Sequence, residues 1–431
     1  MNSRWISKLW LGATALVLMV PAVAGAQTSR VEGMNLMPDY LKDPSGTFSY
    51  PSQITTVGNY VYAELGNVLF NPNTGSPITL DRQTGAVLGN LWDGRYGTWG
   101  LFLREETPAL GQGDAFSQPN PGFLGGDPNQ NTNESFDLMW GQNFGTTAFA
   151  LRVNRSFAKE ETELPGVTTT LEFDQGTFNN DNLSRNIFGF GAGVGFEMNP
   201  ETNIEIGGLY QTRTFENGVS PLGTRREEDG PTTYQLSARV LWESQPNLMV
   251  VPVVKFYSFD LGNQTTTAAT TTSTDNSLTG WSAGLAGNWT LGANDLFVLG
   301  ATVAQNKIEQ NEDLFGIAGG LGTSDSLDVT ETILPNVFMA LETNVNPWLT
   351  LRFGANKGVV STIKVEDRSA VTPGTQKFTQ APFTMMIGAG VKLGTLQLDA
   401  ILNNVFPHTL GWLGSGISNV YFPKVTATYS F

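Results

Sequence analysis

The feature that most limits what this chain can become is its period of two. From Asn59 onward, apolar and polar residues alternate in one short segment after another. That is the pattern of strands with one apolar and one polar face. Across 147–157, Phe149, Leu151 and Val153 oppose Ala150, Arg152 and Asn154. Across 233–243, Tyr234, Leu236, Ala238, Val240 and Trp242 oppose Gln235, Ser237, Arg239 and Glu243. Across 348–359, Leu349, Leu351 and Phe353 oppose Thr350, Arg352 and Asn356. After residue 26 no apolar run approaches the roughly 18–20 residues of a spanning helix. The longest strong one, 248–254, contains Pro252.

The spacing of these segments points to a closed wall. Tight turns join 136–141 to 147–157, 186–198 to 203–215, 233–243 to 248–260, 279–291 to 296–307, 329–344 to 348–359, and 378–393 to 396–403. Long polar connections separate the hairpins: 106–133, 158–184, 216–231, 261–277, 308–327, 360–376 and 404–417. Short turns on one side and long loops on the other are the outer-membrane pattern. The expected fold is all-β, a transmembrane antiparallel β-barrel with an N-terminal inward segment. Strands at 60–67, 96–105 and 419–431 belong to it, and a weakly patterned one lies near 86–92. With that weak strand the wall has 16 strands; without it, 14. A soluble sandwich would alternate too, but with less regular hairpins. Aromatics gather near the short turns, at Trp140, Phe144, Phe196, Trp242, Trp289, Phe297, Trp348, Tyr429 and Phe431, as an interfacial girdle requires.

The two ends of the chain locate it. Residues 424–431 place Val425, Ala427, Tyr429 and Phe431 on one face and Lys424, Thr426, Thr428 and Ser430 on the other. This ending resembles the closing strand of bacterial outer-membrane barrels. The resemblance implies that Tyr429 and Phe431 form an assembly signal read by the barrel-assembly machinery. At the other end, Arg4 and Lys8 precede an apolar run over 9–23 and then Ala24-Gly25-Ala26. That reads as a secretory signal peptide over 1–26. The expected location is the outer membrane of a Gram-negative bacterium, with outer-membrane lipid and lipopolysaccharide as surroundings. A net charge of −15 argues against nucleic acid as a partner. The chain has no cysteine, so thiol chemistry does not apply.

A charge on the lipid face at mid-depth costs about 2–4 kcal/mol for Arg or Lys, so strand charges are expected to face the lumen. The lumen candidates are Arg152, Arg213, Arg239, Lys255, Arg352, Lys392 and Lys424, with Glu197, Glu205, Glu243, Glu342 and Asp399. Mixed signs allow two readings: a polar channel that selects solutes, or an ion-paired filler that closes the bore. By the same rule Leu351→Arg should cost about 2–4 kcal/mol and Arg352→Leu much less. Gly189, Gly191, Gly193 and Gly195 line one strand face, for barrel curvature or for close approach of another segment. Pro252, Pro335, Pro382 and Pro423 fall inside strands, where each removes a ladder donor.

Residues 27–57 form a separate unit before the barrel of 58–431. They show no alternation, yet carry Met34, Leu36, Met37, Tyr40, Leu41, Phe48 and Tyr50. The run Ser29-Arg30, Gly33-Met34, Tyr40-Leu41, Asp43-Pro44-Ser45, Phe48, Tyr50-Pro51 resembles the segment before the first strand in the long-chain fatty-acid transporter family. It also resembles that of the related shuttle barrels of gliding bacteria. The family's Asn-Pro-Ala is Tyr50-Pro51-Ser52 here, and its Gly-Gly after Met is Asn35-Leu36. The resemblance implies an inward plug and a hydrophobic solute that leaves sideways through strand breaks. A periplasmic arm is the other reading. As a plug, the segment would set its apolar residues, Leu36 among them, on the glycine row near Gly191. Arg30, Glu32, Asp39 and Asp43 would pair with lumen charges.

No catalytic constellation stands out. His408 is the only histidine, and it lacks the Ser-bearing motif or neighbouring acids of barrel hydrolases. No cofactor or metal is expected. Loop acids such as Glu160-Glu161 and Glu227-Glu228-Asp229 read as solvated or as loose Ca²⁺ holders, and 261–277 reads as a flexible surface loop. The expected function is an outer-membrane channel or transporter for small, possibly hydrophobic, molecules. The alternatives are a general diffusion porin and a structural or surface-interaction barrel.

Overall fold

The computed structural model describes residues 27–66, 69–70, 77–78, 81–89, 91–104, 134–161, 170–172, 177–179, 182–218, 225–228, 232–260, 263–266, 271–274, 277–292, 295–310, 327–368, 374–402 and 424–431. The signal-peptide expectation over 1–26, His408 and Pro423 lie outside the described residues.

Sixteen wall strands follow in chain order. The first eight are β1 (Tyr60–Gly66), β2 (Asp81–Leu88), β3 (Thr98–Arg104), β4 (Glu134–Phe144), β5 (Thr147–Glu161), β6 (Asn182–Asn199), β7 (Thr202–Gly218) and β8 (Thr232–Gln245). Then come β9 (Leu248–Asp260), β10 (Ser277–Leu291), β11 (Asp295–Gln310) and β12 (Leu327–Asn346). β13 is Leu349–Gly358 continued by Ser361–Asp367, and β14 is Gly374–Gln380 continued by Phe383–Leu393. β15 (Leu396–Leu402) and β16 (Lys424–Ser430) complete the wall. Each strand pairs antiparallel with its neighbours, and β1 pairs with β16 from Tyr60↔Ser430 to Gly66↔Lys424, which closes the sheet. Closure leaves no free sheet edge and satisfies the backbone within lipid. Gly145 and Gly394 hold positive φ in their tight turns, where a side chain would be strained.

The weak strand exists as β2, which settles the count at 16. It lies closer to the loop end than expected, because Leu91–Gly94 winds into a 3₁₀ turn and shortens the return. The expected flexible loop over 261–277 is corrected in part. Asn263–Thr266 and Thr271–Thr274 pair with each other, and the first also pairs with Arg225–Glu228. Threonine is β-branched and suits a strand, and backbone pairing needs no apolar alternation. Glu227 and Glu228 therefore lie in a strand, not in a cation-holding loop.

Outward side chains are apolar: Leu236 and Leu285 are 54 % exposed, where lipid would cover them. Their inward neighbours Arg239 and Gln235 are buried at 1 %. Leu351 stands only two residues from the start of β13 at Leu349. It therefore sits at the membrane edge, which corrects the mid-depth cost expected for a charge there.

The N-terminal segment runs inside this wall. It comprises α1 (Gln27–Gly33) and three 3₁₀ turns, Pro38–Tyr40, Pro44–Phe48 and Pro51–Thr55. Each turn begins on proline, which fixes φ and has no N–H to leave unpaired. The Asp43 side chain caps the second turn, accepting from the Ser45 N–H at 3.0 Å. Two apolar clusters fix the segment. Met34, Leu36 and Tyr40 pack with Leu241, Val253 and Phe338; Phe48 and Ile54 pack with Tyr62, Phe102 and Met139.

Candidate functional site

The bore is built where inward strand positions meet the segment. Arg239 on β8 is its most connected side chain. Its Nε bonds Glu205 of β7 at 2.7 Å. Its Nη1 donates to the carbonyls of Asp39 and Leu41, both at 2.7 Å, and of Pro38 at 3.3 Å. Its guanidinium lies 4.3 Å from the Tyr50 ring centroid. Only a planar fork can serve a carboxylate and a turn of carbonyls at once. One strand on, Lys255 reaches the Asp39 carboxylate at 2.7 Å.

Other parts of the wall repeat the arrangement. Arg152 bonds Asp137 at 2.6 Å and donates to the Phe48 carbonyl at 3.3 Å. Arg104 shares Asp137, and both guanidiniums lie over the Phe48 ring. Glu342 of β12 takes Arg352 of β13 at 2.6 Å and Arg30 of the segment at 2.7 Å. Arg352 also pairs with Asp399, and Arg30 with Asp43. At the seam between first and last strands, Lys424 bridges Glu32 at 2.9 Å and Glu64 at 3.4 Å. The Ser29 hydroxyl there bonds Thr426 and Glu64. Buried ion pairs give little net stability, because desolvation offsets attraction. They do fix register, since a displaced segment would strand charges on both sides.

Glycines let the segment approach the wall. A Cβ at Gly354 would fall 1.6 Å from the Met34 carbonyl oxygen, and one at Gly207 2.0 Å from that of Ser49. The glycine row is only partly used this way. Gly193 meets Pro51 and Ser52, and Gly195 meets Ser52, but Gly189 and Gly191 face Arg152, Asn154 and Gln211. The expected meeting of Leu36 with Gly191 is corrected: Leu36 packs in the cluster of β8–β12. The proline-led turns carry the chain across the bore, so its two halves press on different parts of the wall.

Of the candidate residues, Arg152, Arg239, Lys255, Arg352, Lys424, Glu205, Glu342 and Asp399 converge on this contact. Glu197, Glu243 and Lys392 lie apart from it, exposed at the turn end. Glu243 borders a cavity of about 250 Å³ shared with Arg30, Lys42 and Asn288. The register sets Arg213 opposite Ile187; its side chain lies outside the described residues. Sequence reading missed Glu64, Asp137 and Glu331. Glu64 and Asp137 do alternate with apolar neighbours, a signal that short strands made faint. A second cavity of about 420 Å³ lies at the turn end, between Ile54, Thr55 and Asn59 and the Gly97, Thr98 and Gly141 wall. No group of three or more metal-ligating side chains occurs among the described residues.

Three adjacent strands bend at one level. The β11–β12 register shifts at Leu334-Pro335, β13 breaks at Val359-Val360, and β14 breaks at Ala381-Pro382. Bonds from Leu334 N–H to the Val360 carbonyl and from Gly358 N–H to the Pro382 carbonyl bridge the bend. Pro252, by contrast, keeps its register with Leu285.

No protein-family model matches this sequence, and no curated protein matches it. Solved structures are similar at low identity. The siderophore receptor PiuA from Acinetobacter baumannii is 9 % identical, with a TM-score of 0.42; the match covers 70 % of this chain and 53 % of that one. This chain thus spans about half of the receptor's length. A FadL homologue from Pseudomonas aeruginosa is 11 % identical, with a TM-score of 0.41 and coverage of 95 % and 99 %. The monoaromatic hydrocarbon channel CymD is 11 % identical, with a TM-score of 0.40 and coverage of 95 % and 98 %. On its own strand ladder and inward segment, the chain is a 16-stranded transmembrane β-barrel.

Proposed function

We propose that this protein is an outer-membrane transporter for small hydrophobic molecules, with residues 27–57 as its plug. The observation that carries the reading is the ion-paired contact of that segment with the inner wall. Arg239, Arg152, Arg352, Lys255 and Lys424 each bind both a wall carboxylate or segment carboxylate and, directly or through it, the segment. A general diffusion porin needs a continuous water column, and a segment held by buried charges stands in its way. A purely structural barrel has no need of an occupied bore. The bend at Pro335 and Pro382 supports sideways exit, since outward Leu334 and Val359 offer an apolar surface beside interrupted ladders.

The test is conductance and uptake in proteoliposomes. The full barrel should show little steady ion conductance yet speed entry of a neutral aromatic hydrocarbon. Removal of 27–57 should raise conductance strongly. A large steady conductance of the full barrel, with passage of sugars and no effect on the hydrocarbon, would support a porin instead.

A further inference from the structure

On one side of the barrel the outward face changes character toward the loops. Phe256 of β9 and Trp281 of β10 stand opposite each other, both exposed. Trp289 lies eight residues nearer the turns, which at the strand tilt of such barrels is about 20 Å of height. The two tryptophans bracket the lipid-facing band. Beyond the upper one the wall turns polar and cationic. One outward row runs Gln305↔Thr332↔Thr362↔Thr379 across β11 to β14, and the next runs Lys307↔Thr330↔Lys364↔Lys377. Their direction follows from alternation, since Asn306, Glu331 and Ile363 between them are buried inside.

Charge sets this strip apart. The chain carries a net −15. Yet the outward loop half of β11 to β14 holds Lys307, Lys357, Lys364, Lys377 and the adjoining Arg368 against Glu309, Asp328 and Glu366. Five cations against three acids leave a net +2. Lys364 and Lys377 are direct cross-strand neighbours, a like-charge pair that costs stability unless an anion lies between them. Lys364 reaches Glu366 at 2.7 Å, and Lys307 reaches Glu309. These are exposed pairs along single strands, worth little and readily exchanged. Just below, the bend exposes Leu334, Val359 and Phe383, and Lys357 donates to the Ala381 carbonyl at 2.6 Å. The patch is amphiphilic, apolar toward the membrane and rich in ammonium and hydroxyl groups above it. It is also oblique. Lys307 is 12 residues past the start of β11 at Asp295, and Lys377 is 16 before the end of β14 at Leu393. The lysine row therefore climbs about 10 Å away from the membrane.

We propose that this strip is a docking site for an outer-leaflet glycolipid with a phosphorylated saccharide head, in chemical class a lipopolysaccharide. Its acyl chains lie on Leu334, Val359 and Phe383. A phosphate sits between Lys364 and Lys377 and removes their repulsion, while the threonine hydroxyls meet the sugar. The oblique rise suits a head that stands off the membrane better than a flat glycerophospholipid. The site lies on the outside of the wall and is independent of what the bore passes.

The probes are deep-rough lipopolysaccharide, the same lipid stripped of its phosphates, and phosphatidylglycerol. Each is titrated into the full barrel in neutral detergent at fixed salt, with bound lipid counted by native mass spectrometry. The wild type should bind the phosphorylated glycolipid at least about tenfold more tightly than the stripped one. The double variant Lys364→Gln, Lys377→Gln should lose that preference. Arg155→Gln, which removes an exposed cation from β5, should keep it. Equal binding of the two glycolipids by the wild type would overturn the proposal. So would a preference that survives in the double variant as a heat-modifiable, folded barrel, or one that Arg155→Gln abolishes as well. Phosphatidylglycerol bound as tightly as the phosphorylated glycolipid would show general attraction to anionic lipid and refute the site.

Discussion

Arg239→Met should release the N-terminal segment without unfolding the barrel. The substitution keeps much of the side chain's volume and removes its charge. It leaves Glu205 buried without a cation and strips donors from the carbonyls of Pro38, Asp39 and Leu41. Removing one member of a buried pair costs about 3–5 kcal/mol. The wall cannot relieve that cost, because β8 is held by its backbone ladders to β7 and β9. The segment can, by moving out and admitting water to Glu205. The open population should then rise about 100- to 4,000-fold, since each 1.4 kcal/mol is a factor of ten. Thr47 is fully buried and the chain has no cysteine, so Thr47→Cys gives a reporter with no background. Its labelling by a membrane-impermeant maleimide should accelerate by that factor in the Arg239→Met background. Arg239→Lys, which keeps charge but not the fork, should fall between. Unchanged labelling with an intact barrel would refute the reasoning, as would loss of the barrel itself.

Two further outcomes follow from depth and from the chain end. Leu285 lies six residues from the end of β10 at Leu291 and faces outward, so Leu285→Arg should destabilise by about 2–4 kcal/mol in urea unfolding from vesicles. Leu351→Arg, at the membrane edge, should cost about 0–1 kcal/mol; equal costs would contradict the assigned depths. Deletion of Phe431, which stacks on Tyr429 with ring centroids 6.0 Å apart and is 59 % exposed, should leave exported but poorly inserted protein. Normal levels of heat-modifiable barrel in the outer-membrane fraction would exclude that role.

Alternation by itself determined the wall. A period of two sends Leu151 and Arg152, or Leu236 and Arg239, to opposite faces whatever else the chain does, and only closure hides the edges of so many strands in lipid. β2 was legible only as a weakly patterned segment near 86–92, which left the count between 14 and 16. What sequence could not decide is which inward charges meet. Arg239 and Glu205 are 34 residues apart and Arg30 and Glu342 are 312 apart; their pairing depends on register and on how 27–57 crosses the bore. The same holds for glycines: Gly207 and Gly354 let the segment approach while Gly191 faces other wall residues, because only the fold sets where the Ser49 and Met34 carbonyls come to rest. Glu331 reads like any other lumen acid until the tertiary structure gives the other buried acids among the described residues an Arg or Lys and gives it neutral donors. Local periodicity fixes the direction in which a side chain points, whereas its partner is set by contacts that span the whole chain.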